Sequence, residues 1–437
     1  MRVRGIAGVV AAIVVGLAGC SSGSTDPTLP APSVAPSAAS GDPTPLPQGK
    51  PFDITASDMT MHSFLADPQT KSSSFRMNCY PLWRDVETAK GKYNWELFDL
   101  SVSNTQLWGA QVLMYSFCGT PEWAADGKAD DPSVEVFGPQ STVPPKDLKD
   151  YEDYVRAVVK RYKGTISTYE TWNEASSPQF WQGTPEQMVK MTEILRKVVK
   201  EEDPDATVTM ASMQTHRDDY YEDFVEPYLT ELAAANWPFD IYNAHFYPFG
   251  EAGPAARRES IAKFKKSLAD RDAPKKPLWD TEVNYYTGVP GGEPNGRVTG
   301  DRAAAWAVRT YLDGWRLDLG RNYWYFATPE YNPFPGIQTR PGDPATIALA
   351  TFHDWVIDSR FNGCEQKGDL VNCAFVKDGK EFFIAWGESK KGDDKENVRV
   401  SYPLNGPAQV CRLPENTCET TSALTVDEVP VLITPNA

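Results

Sequence analysis

The sequence predicts an α/β fold: a (β/α)8 TIM barrel followed by a small C-terminal β-sandwich. Two observations predict the barrel. Strand-like and helix-like runs alternate along residues 51–358, and eight strand-like runs occur there. A doubly wound sheet also alternates, but it usually has fewer strands, and no glycine-rich phosphate turn is visible. The third observation concerns residues 359–437, where short alternating runs and four cysteines predict the sandwich.

The first 20 residues are a targeting segment rather than part of the fold. Arg2 and Arg4 precede an apolar run over 5–19 that is too short for a convincing membrane span. The run ends in Leu-Ala-Gly-Cys, which resembles a bacterial lipoprotein signal. That resemblance implies cleavage before Cys20 and attachment of lipid to it, on the extracellular face of the cell membrane. An ordinary signal peptide is the alternative.

Residues 21–50 form a linker. They contain seven prolines, many Ser, Thr and Ala, and no aromatic residue, so they cannot bury a core. We expect order to begin near Pro51.

The barrel elements follow from apolar periodicity. The predicted strands lie at 52–64, 74–80, 111–117, 166–172, 207–213, 240–247, 277–284 and 322–328. The predicted helices lie at 95–109, 147–163, from 184 onward, 218–235, 255–271, 301–319 and 345–357.

Two of these helices carry clear signals. Residues 147–163 place their apolar side chains on one face, and Gly164 ends that helix. Thr184, Pro185 and Gln187 have the order of a capping box, with Pro at the first helical position.

The C-terminal region is predicted to be all β. Its alternating segments lie at 373–377, 381–386, 398–402, 408–413 and 430–434.

Cysteine usage fits an exported protein. Without Cys20, an even number of six cysteines remains, which predicts disulfides. Many pairings are possible. We favour Cys79–Cys118, Cys364–Cys373 and Cys411–Cys418, because the last two pairs are local. None of these cysteines has metal-ligand spacing and only four histidines occur, so neither a metal site nor an organic cofactor is expected.

Charge and composition narrow the ligand class. The net charge is −16, which disfavours nucleic acid because its binding depends on neutralising phosphates. The 13 Trp and 19 Tyr suit carbohydrate, whose apolar ring faces stack on aromatic side chains, although most of these rings are expected in the core. A neutral polymer is therefore a better substrate than an anionic one.

Two glutamates stand where a barrel enzyme places its catalytic groups, at the C-terminal ends of strands. Glu174 lies just past the fourth strand and Glu282 lies at the end of the seventh. Asp280 is a rival two residues earlier and is expected within the strand. Cleavage of a glycosidic bond needs two carboxyl groups flanking that bond, and strands four and seven face each other across the mouth.

The motifs around these residues resemble the clan A glycoside hydrolases, which are retaining enzymes on a (β/α)8 barrel. Trp172-Asn173-Glu174 follows the fourth strand, and residues 172–181 resemble the β-xylosidase group, family 39, with Ala175 in place of its Pro. Residues 83–95 resemble the early segment of the clan. His245-Phe246-Tyr247 resembles the His-x-Tyr at the sixth strand of several members, including family 5.

The resemblance implies roles for these residues. Glu174 would be general acid and then base, and Glu282 would be the nucleophile. Asn173 would hydrogen-bond the sugar 2-hydroxyl, and Tyr247 would keep Glu282 ionised.

Three further residues would complete the site. His245 and Arg76 would form its polar floor, and Trp324, at strand eight, would be the stacking platform. His62, His216 and Trp123 could also line the cleft, although a structural role is the simpler expectation for each.

These observations predict a monomeric, lipid-anchored, extracellular retaining glycosidase acting on a polysaccharide, oligosaccharide or cell-wall glycan. The alternatives are a non-catalytic carbohydrate-binding lipoprotein and a cell-wall transglycosylase. A lipoprotein solute-binding protein fits less well, because it would have two doubly wound lobes. The sequence leaves the sugar, the linkage, and endo or exo action open.

Overall fold

The structure is a computed structural model that describes residues 49–63, 66–285, 297–389 and 398–435. The predicted signal segment, Cys20 and almost all of the linker lie outside the described residues. The described residues all belong to one compact unit. No helix among them combines the length and the apolar character needed to cross a membrane.

The described residues form 19 strands, numbered here in chain order. They are β1 (Phe52–Asp53), β2 (Thr60–His62), β3 (Ser74–Asn78), β4 (Glu87–Ala89), β5 (Lys92–Tyr93), β6 (Val112–Ser116), β7 (Thr168–Glu170), β8 (Thr207–Thr209), β9 (Tyr242–Ala244), β10 (Leu278–Val283), β11 (Arg321–Trp324), β12 (Arg360–Lys367), β13 (Leu370–Lys377), β14 (Lys380–Gly387), β15 (Val400–Tyr402), β16 (Ala408–Arg412), β17 (Thr417–Thr421), β18 (Leu424–Val426) and β19 (Val431–Pro435).

The helices are numbered in the same way. They are α1 (Trp83–Val86), α2 (Glu96–Leu107), α3 (Leu148–Arg161), α4 (Pro185–Glu202), α5 (Asp218–Tyr220), α6 (Glu226–Ala234), α7 (Pro254–Ala269), α8 (Gly300–Arg316) and α9 (Pro344–Val356). A π-helical turn, Tyr221–Val225, joins α5 to α6. The predicted capping box of α4 is present, since Thr184 and Gln187 each bond to the backbone of the other.

Eight parallel strands form the barrel. The order in the sheet is β8-β7-β6-β3-β2-β11-β10-β9. Barrel strands that follow one another along the chain therefore lie side by side in the sheet. Two single parallel bridges, Thr209–Ile241 and Gln214–His245, join the two ends and nearly close the barrel. The parallel (β/α)8 barrel predicted from the alternation of elements is therefore confirmed.

The connection between the first two barrel strands differs from the regular pattern. The described residues between β2 and β3 contain no helix, and none was predicted there from the sequence. Residues 66–73 contain Pro68 and a group of serines, which favour turns rather than a helix.

The C-terminal region contains an antiparallel sheet of order β1-β12-β13-β14-β19-β16-β17. One face packs on the barrel through aromatic rings such as Phe361, Phe375 and Phe382. The other face packs on a two-stranded sheet, β15 with β18, through Leu424 and Val426. The predicted C-terminal β region is confirmed, and its description as a β-sandwich stays a prediction.

Three disulfides join the six described cysteines in the pairing favoured from the sequence: Cys79–Cys118, Cys364–Cys373 and Cys411–Cys418. The first links the ends of two neighbouring barrel strands, β3 and β6. The other two join neighbouring antiparallel strands of the C-terminal sheet.

Candidate active site

Glu174 and Glu282 meet at the C-terminal mouth of the barrel, as predicted. Glu174 follows β7, and Glu282 lies near the end of β10. A carboxylate oxygen of each lies within 4.8 Å of the other and of a ring nitrogen of His245. Both glutamates are buried, with 6% and 5% of their surface exposed. The fold thus places two carboxyl groups side by side in a largely water-excluded setting.

Glu282 is surrounded by hydrogen-bond donors. Arg76 Nη1 donates to its Oε2 at 2.8 Å, and Asn78 Nδ2 donates to the same oxygen at 3.0 Å. The hydroxyl of Tyr247 donates to Oε1 at 2.9 Å. His62 Nδ1 lies 3.9 Å from Oε2. Donors that contact a carboxylate favour its ionised form, so this shell suits a negatively charged Glu282.

Glu174 has a different shell, in which the described contacts include no arginine. Gln214 Nε2 donates to Oε2 at 2.7 Å, and His245 Nδ1 lies 2.8 Å from Oε1. The Glu174 backbone has a φ of 44°, which is uncommon for a residue other than glycine. The hydroxyl of Ser212 accepts a hydrogen bond from the Glu174 N–H at 2.9 Å and holds the backbone there.

Arg76 links the two halves of the site. Its fully buried guanidinium donates to both oxygens of Glu170 at 2.9 Å and to Glu282. It also donates to Asn173 Oδ1 at 2.8 Å. Because an arginine can only donate, this bond identifies the accepting atom of the Asn173 amide as its oxygen. The amide nitrogen is then a buried donor that has no hydrogen-bond partner in the described structure.

The pKa shifts follow from burial and charge. Burial raises the pKa of Glu174, and Gln214 and His216 oppose this shift. Burial also raises the pKa of Glu282, and the charge of Arg76 and the hydrogen bond from Tyr247 oppose this rise. Burial lowers the pKa of His245 to about 4, so this ring is neutral at pH 7. Arg76 contacts Glu282 directly but acts on Glu174 only from a distance, so its charge favours the ionised form of Glu282 more strongly than that of Glu174.

Asp280, the rival to Glu282, does not reach the mouth. It is fully buried and pairs with Arg257 of α7 at 2.7 Å. Its other oxygen accepts a hydrogen bond from the N–H of Phe246 at 3.2 Å. Phe246 lies between His245 and Tyr247, so Asp280 holds the backbone that presents both side chains.

The structure contradicts the expectation that Trp324 is the stacking platform. Trp324 is fully buried, and its ring lies 6.2 Å from that of Tyr285 in the main core cluster. Its neighbour in the chain, Tyr325, reaches the mouth instead. The Tyr325 ring lies 4.8 Å from that of His62 and 6.4 Å from that of Tyr247.

The other predicted site residues come together: Arg76, Asn173, His245 and Tyr247 all contact Glu174, Glu282 or each other. His62 and His216 also lie at the mouth. Trp123 does not join them, since its indole N–H donates to the backbone oxygen of Glu87.

Besides Tyr325, four polar residues of the site were not predicted: Asn78, Glu170, Ser212 and Gln214. Each lies in or just after a barrel strand, so a search of every strand end for polar side chains would have found them.

The cluster of Glu174, His245 and Glu282 has donor atoms spaced closely enough for a metal ion. Arg76, however, already places a positive charge 2.8 Å from Glu282. A divalent cation there would be repelled by the guanidinium. The charge of Arg76 therefore argues against a metal ion at this cluster.

Comparison with known proteins supports this fold. No protein-family model matches the chain, and no curated protein matches its sequence. Solved structures do match. A family 39 glycoside hydrolase from Bacteroides cellulosilyticus WH2 has a TM-score of 0.63 at 17% identity, over 87% of this chain and 81% of that one.

Two further structures give the same result. A monomeric β-xylosidase from Caulobacter crescentus CB15 has a TM-score of 0.63 at 14% identity, over 89% of this chain and 98% of that one. A family 30 endoxylanase from Clostridium papyrosolvens C71 has a TM-score of 0.57 at 13% identity, over 90% and 98%. The chain therefore has the (β/α)8 fold of the clan A glycoside hydrolases. These likenesses do not show the predicted family 5 features.

Proposed function

We propose that the protein is a retaining glycoside hydrolase. One observation carries the proposal: two buried carboxyl groups, on the fourth and seventh barrel strands, have oxygens within 4.8 Å of each other. Retaining enzymes hold their two carboxyl groups about 5–5.5 Å apart, whereas inverting enzymes need about 6.5–9.5 Å to admit a water. The spacing fits direct attack by one carboxylate on the anomeric carbon.

The shells of the two glutamates assign the roles. Glu282, ionised by contact with Arg76 and Tyr247, attacks the anomeric carbon and forms a glycosyl-enzyme ester. Glu174 donates its proton to the leaving oxygen as the glycosidic bond breaks. Glu174, now ionised, then takes a proton from water, which attacks the ester and releases Glu282. A raised pKa at Glu174 suits a group that must be protonated first and deprotonated later.

Asn173 binds substrate and Tyr247 positions the nucleophile in this scheme. The buried amide nitrogen of Asn173 would donate to the sugar 2-hydroxyl, a hydrogen bond that strengthens in the transition state. The hydroxyl of Tyr247 orients Glu282.

The substrate is a carbohydrate of neutral character. Arg76, the cation at the centre of the site, is already bound by Glu170, Glu282 and Asn173. It has little capacity left for an anionic sugar. Two of the similar structures are a β-xylosidase and an endoxylanase, so xylose-containing glycans are the first to test.

The cell location also belongs to the proposal. The lipoprotein-like segment ending at Cys20 would place the enzyme on the extracellular face of the membrane, near cell-wall or environmental polysaccharide. The Lys50 N–H donates to Asp318, which lies just before β11 at the end of the barrel opposite the mouth. A tether attached there would leave the mouth open. We also propose that the two C-terminal sheets act as a small β-sandwich that supports the barrel.

The test compares wild type with Glu282→Ala on a panel of plant and bacterial cell-wall polysaccharides, with reducing ends counted. We expect the variant to release at least about 10³-fold fewer ends, because no carboxylate can form the ester. Glu259→Ala, an exposed glutamate on α7, is the matched control and should behave as wild type. Equal release by Glu282→Ala and wild type would refute the assignment of the nucleophile.

A further inference from the structure

Two exposed aromatic rings stand at the mouth of the barrel. Among the described residues, the exposed large hydrophobic side chains are Leu100, Leu107, Phe249 and Phe334. The two leucines lie on α2. Phe249 is 66% exposed and Phe334 is 45% exposed, and both contact rings at the mouth, those of His216 and Tyr247. Leaving a phenyl ring in water forfeits the gain of burying it, so two such rings beside one site mark a binding surface.

Phe249 lies on the side of the proton donor. It follows β9 and stacks on the ring of His216, with centroids 6.0 Å apart and planes 22° apart. His216 lies two residues after Gln214, whose side chain donates to Glu174 at 2.7 Å, and its ring lies 6.3 Å from that of Tyr247. The leaving group departs next to Glu174, because Glu174 protonates its oxygen. Phe249 is therefore placed beside the leaving group.

Phe334 lies on the side of the nucleophile. Its ring meets the edge of Tyr325 at 5.6 Å and that of Tyr247 at 6.4 Å. The Tyr247 hydroxyl donates directly to Glu282. Phe334 is thus placed beside the sugar that Glu282 attacks, or the next one away from the scissile bond.

The charges around the rings fit a neutral ligand. Arg217, next to His216, is paired with Asp219 and covers the ring of Tyr220. Arg340, which lies beyond Phe334 in the chain, is paired with Asp343. The rings offer apolar faces, and Arg217 and Arg340 already have carboxylate partners.

We propose that Phe249 and Phe334 are sugar-stacking platforms on opposite sides of the scissile bond. They would bind a neutral oligosaccharide of pyranose units that spans the catalytic pair, with the leaving-group sugar on Phe249. The assignment of one ring to the leaving-group side and the other to the nucleophile side rests on the proposed function. The proposal goes further by requiring binding on both sides of the cleaved bond.

The first test measures binding without turnover. Calorimetry of the full chain carrying Glu282→Gln would follow its affinity for xylotetraose, cellotetraose and mannotetraose. One of these tetrasaccharides is expected to bind. Adding either Phe249→Ala or Phe334→Ala should weaken its affinity by about threefold to tenfold. Adding Leu107→Ala, which removes an exposed apolar side chain far from the mouth, is the matched control. Unchanged affinity in both Phe variants, or no binding of any tetrasaccharide, would overturn the platforms.

The second test separates the two sides of the bond in the enzyme with Glu282 intact. The fluoride of a disaccharide fills both sugar positions on the nucleophile side and has no leaving-group sugar. Phe249→Ala should therefore lower kcat/KM for the tetrasaccharide several-fold more than for the fluoride, whereas Phe334→Ala should lower both alike. The reverse pattern would overturn the assignment of sides. Tetrasaccharide binding that depends on the two rings, without any hydrolysis by the wild type, would instead reject the proposed function and keep the platforms.

Discussion

The unusual backbone of Glu174 is the clearest feature at the scale of single residues. Its φ of 44° lies in the left-handed region, where a side chain with a Cβ costs about 1–2 kcal/mol. Its N–H donates to the Ser212 hydroxyl, and the Ala175 N–H donates to the Ser212 carbonyl. These two bonds hold the carboxyl group over the mouth at the expense of stability, as is common at functional sites.

This account predicts that Glu174→Gly is more stable than Glu174→Ala. Both variants remove the same carboxyl group and its bonds to His245 and Gln214. Only glycine relieves the left-handed backbone, and its greater freedom in the unfolded chain offsets part of that relief. We expect a difference of about 0.5–1 kcal/mol in the free energy of unfolding, measured with urea. Equal stability, or a more stable alanine variant, would contradict the claim that the backbone at Glu174 is strained.

The sequence predicted most site residues, because short motifs and strand ends mark them. It failed at Trp324 for a geometric reason. Side chains alternate along a strand, so Asn322 and Trp324 share one face, and Asn322 contacts Arg257 in the helix layer. Tyr323 and Tyr325 share the other face, towards the barrel interior. The contact between Asn322 and the helices could not be seen from the sequence.

At the scale of elements, an irregularity in β10 aims the nucleophile. Asp280 and Glu282 would face the same way in a regular strand, yet Asp280 contacts Arg257 in the helix layer and Glu282 contacts Arg76 in the mouth. The register of β10 on β11 shifts between Asp280 and Val283. Such bulges turn a side chain to a new direction next to active sites. Two-residue periodicity alone could therefore not choose between these acids.

The sequence placed every barrel strand but missed some outer ones. Apolar runs mark the barrel strands because both faces are buried. β12, β17 and β18 were not predicted as strands. β17 is largely exposed at the edge of its sheet, so it lacks an apolar face that a pattern could reveal. β12 contains Gly363 and five charged or amide side chains, which also obscure the alternation.

At the scale of the whole molecule, a buried ionic cluster joins the barrel to the C-terminal sheet. Glu388, just after β14, lies 2.8–3.1 Å from Arg258, Arg309 and Arg316 of α7 and α8. Arg258 and Arg316 also pair with Asp313. The three arginines hold the pKa of Glu388 down to about 2, against the effect of burial. Barrel and sheet should therefore unfold together.

We expect Glu388→Gln to destabilise the protein by about 3–5 kcal/mol at pH 7, because it leaves three buried arginines short of a counter-charge. The pKa of Glu388 is lowered on folding. Its contribution is therefore fully present above the ordinary carboxyl pKa of about 4.3 and is lost as the pH falls towards 2. The difference in the free energy of unfolding between wild type and variant, measured by denaturant titration, should therefore shrink as the pH falls over that range.

The exposed Glu381, on the same strand β14, supplies the control. Glu381→Gln should match wild type at every pH. A Glu388→Gln variant as stable as wild type at pH 7, or with a gap that grows on acidification, would contradict the stabilising role of the cluster.

The most direct test of the central claim is to trap the covalent intermediate. A 2-deoxy-2-fluoro glycoside with a dinitrophenyl leaving group, made with each sugar that the enzyme releases, slows hydrolysis of the ester more than its formation. Intact mass spectrometry and peptide mapping should then find one fluorosugar per chain, attached to Glu282. Attachment to another residue would contradict the assigned nucleophile. Hydrolysis with inverted anomeric configuration and no adduct would contradict the retaining mechanism itself.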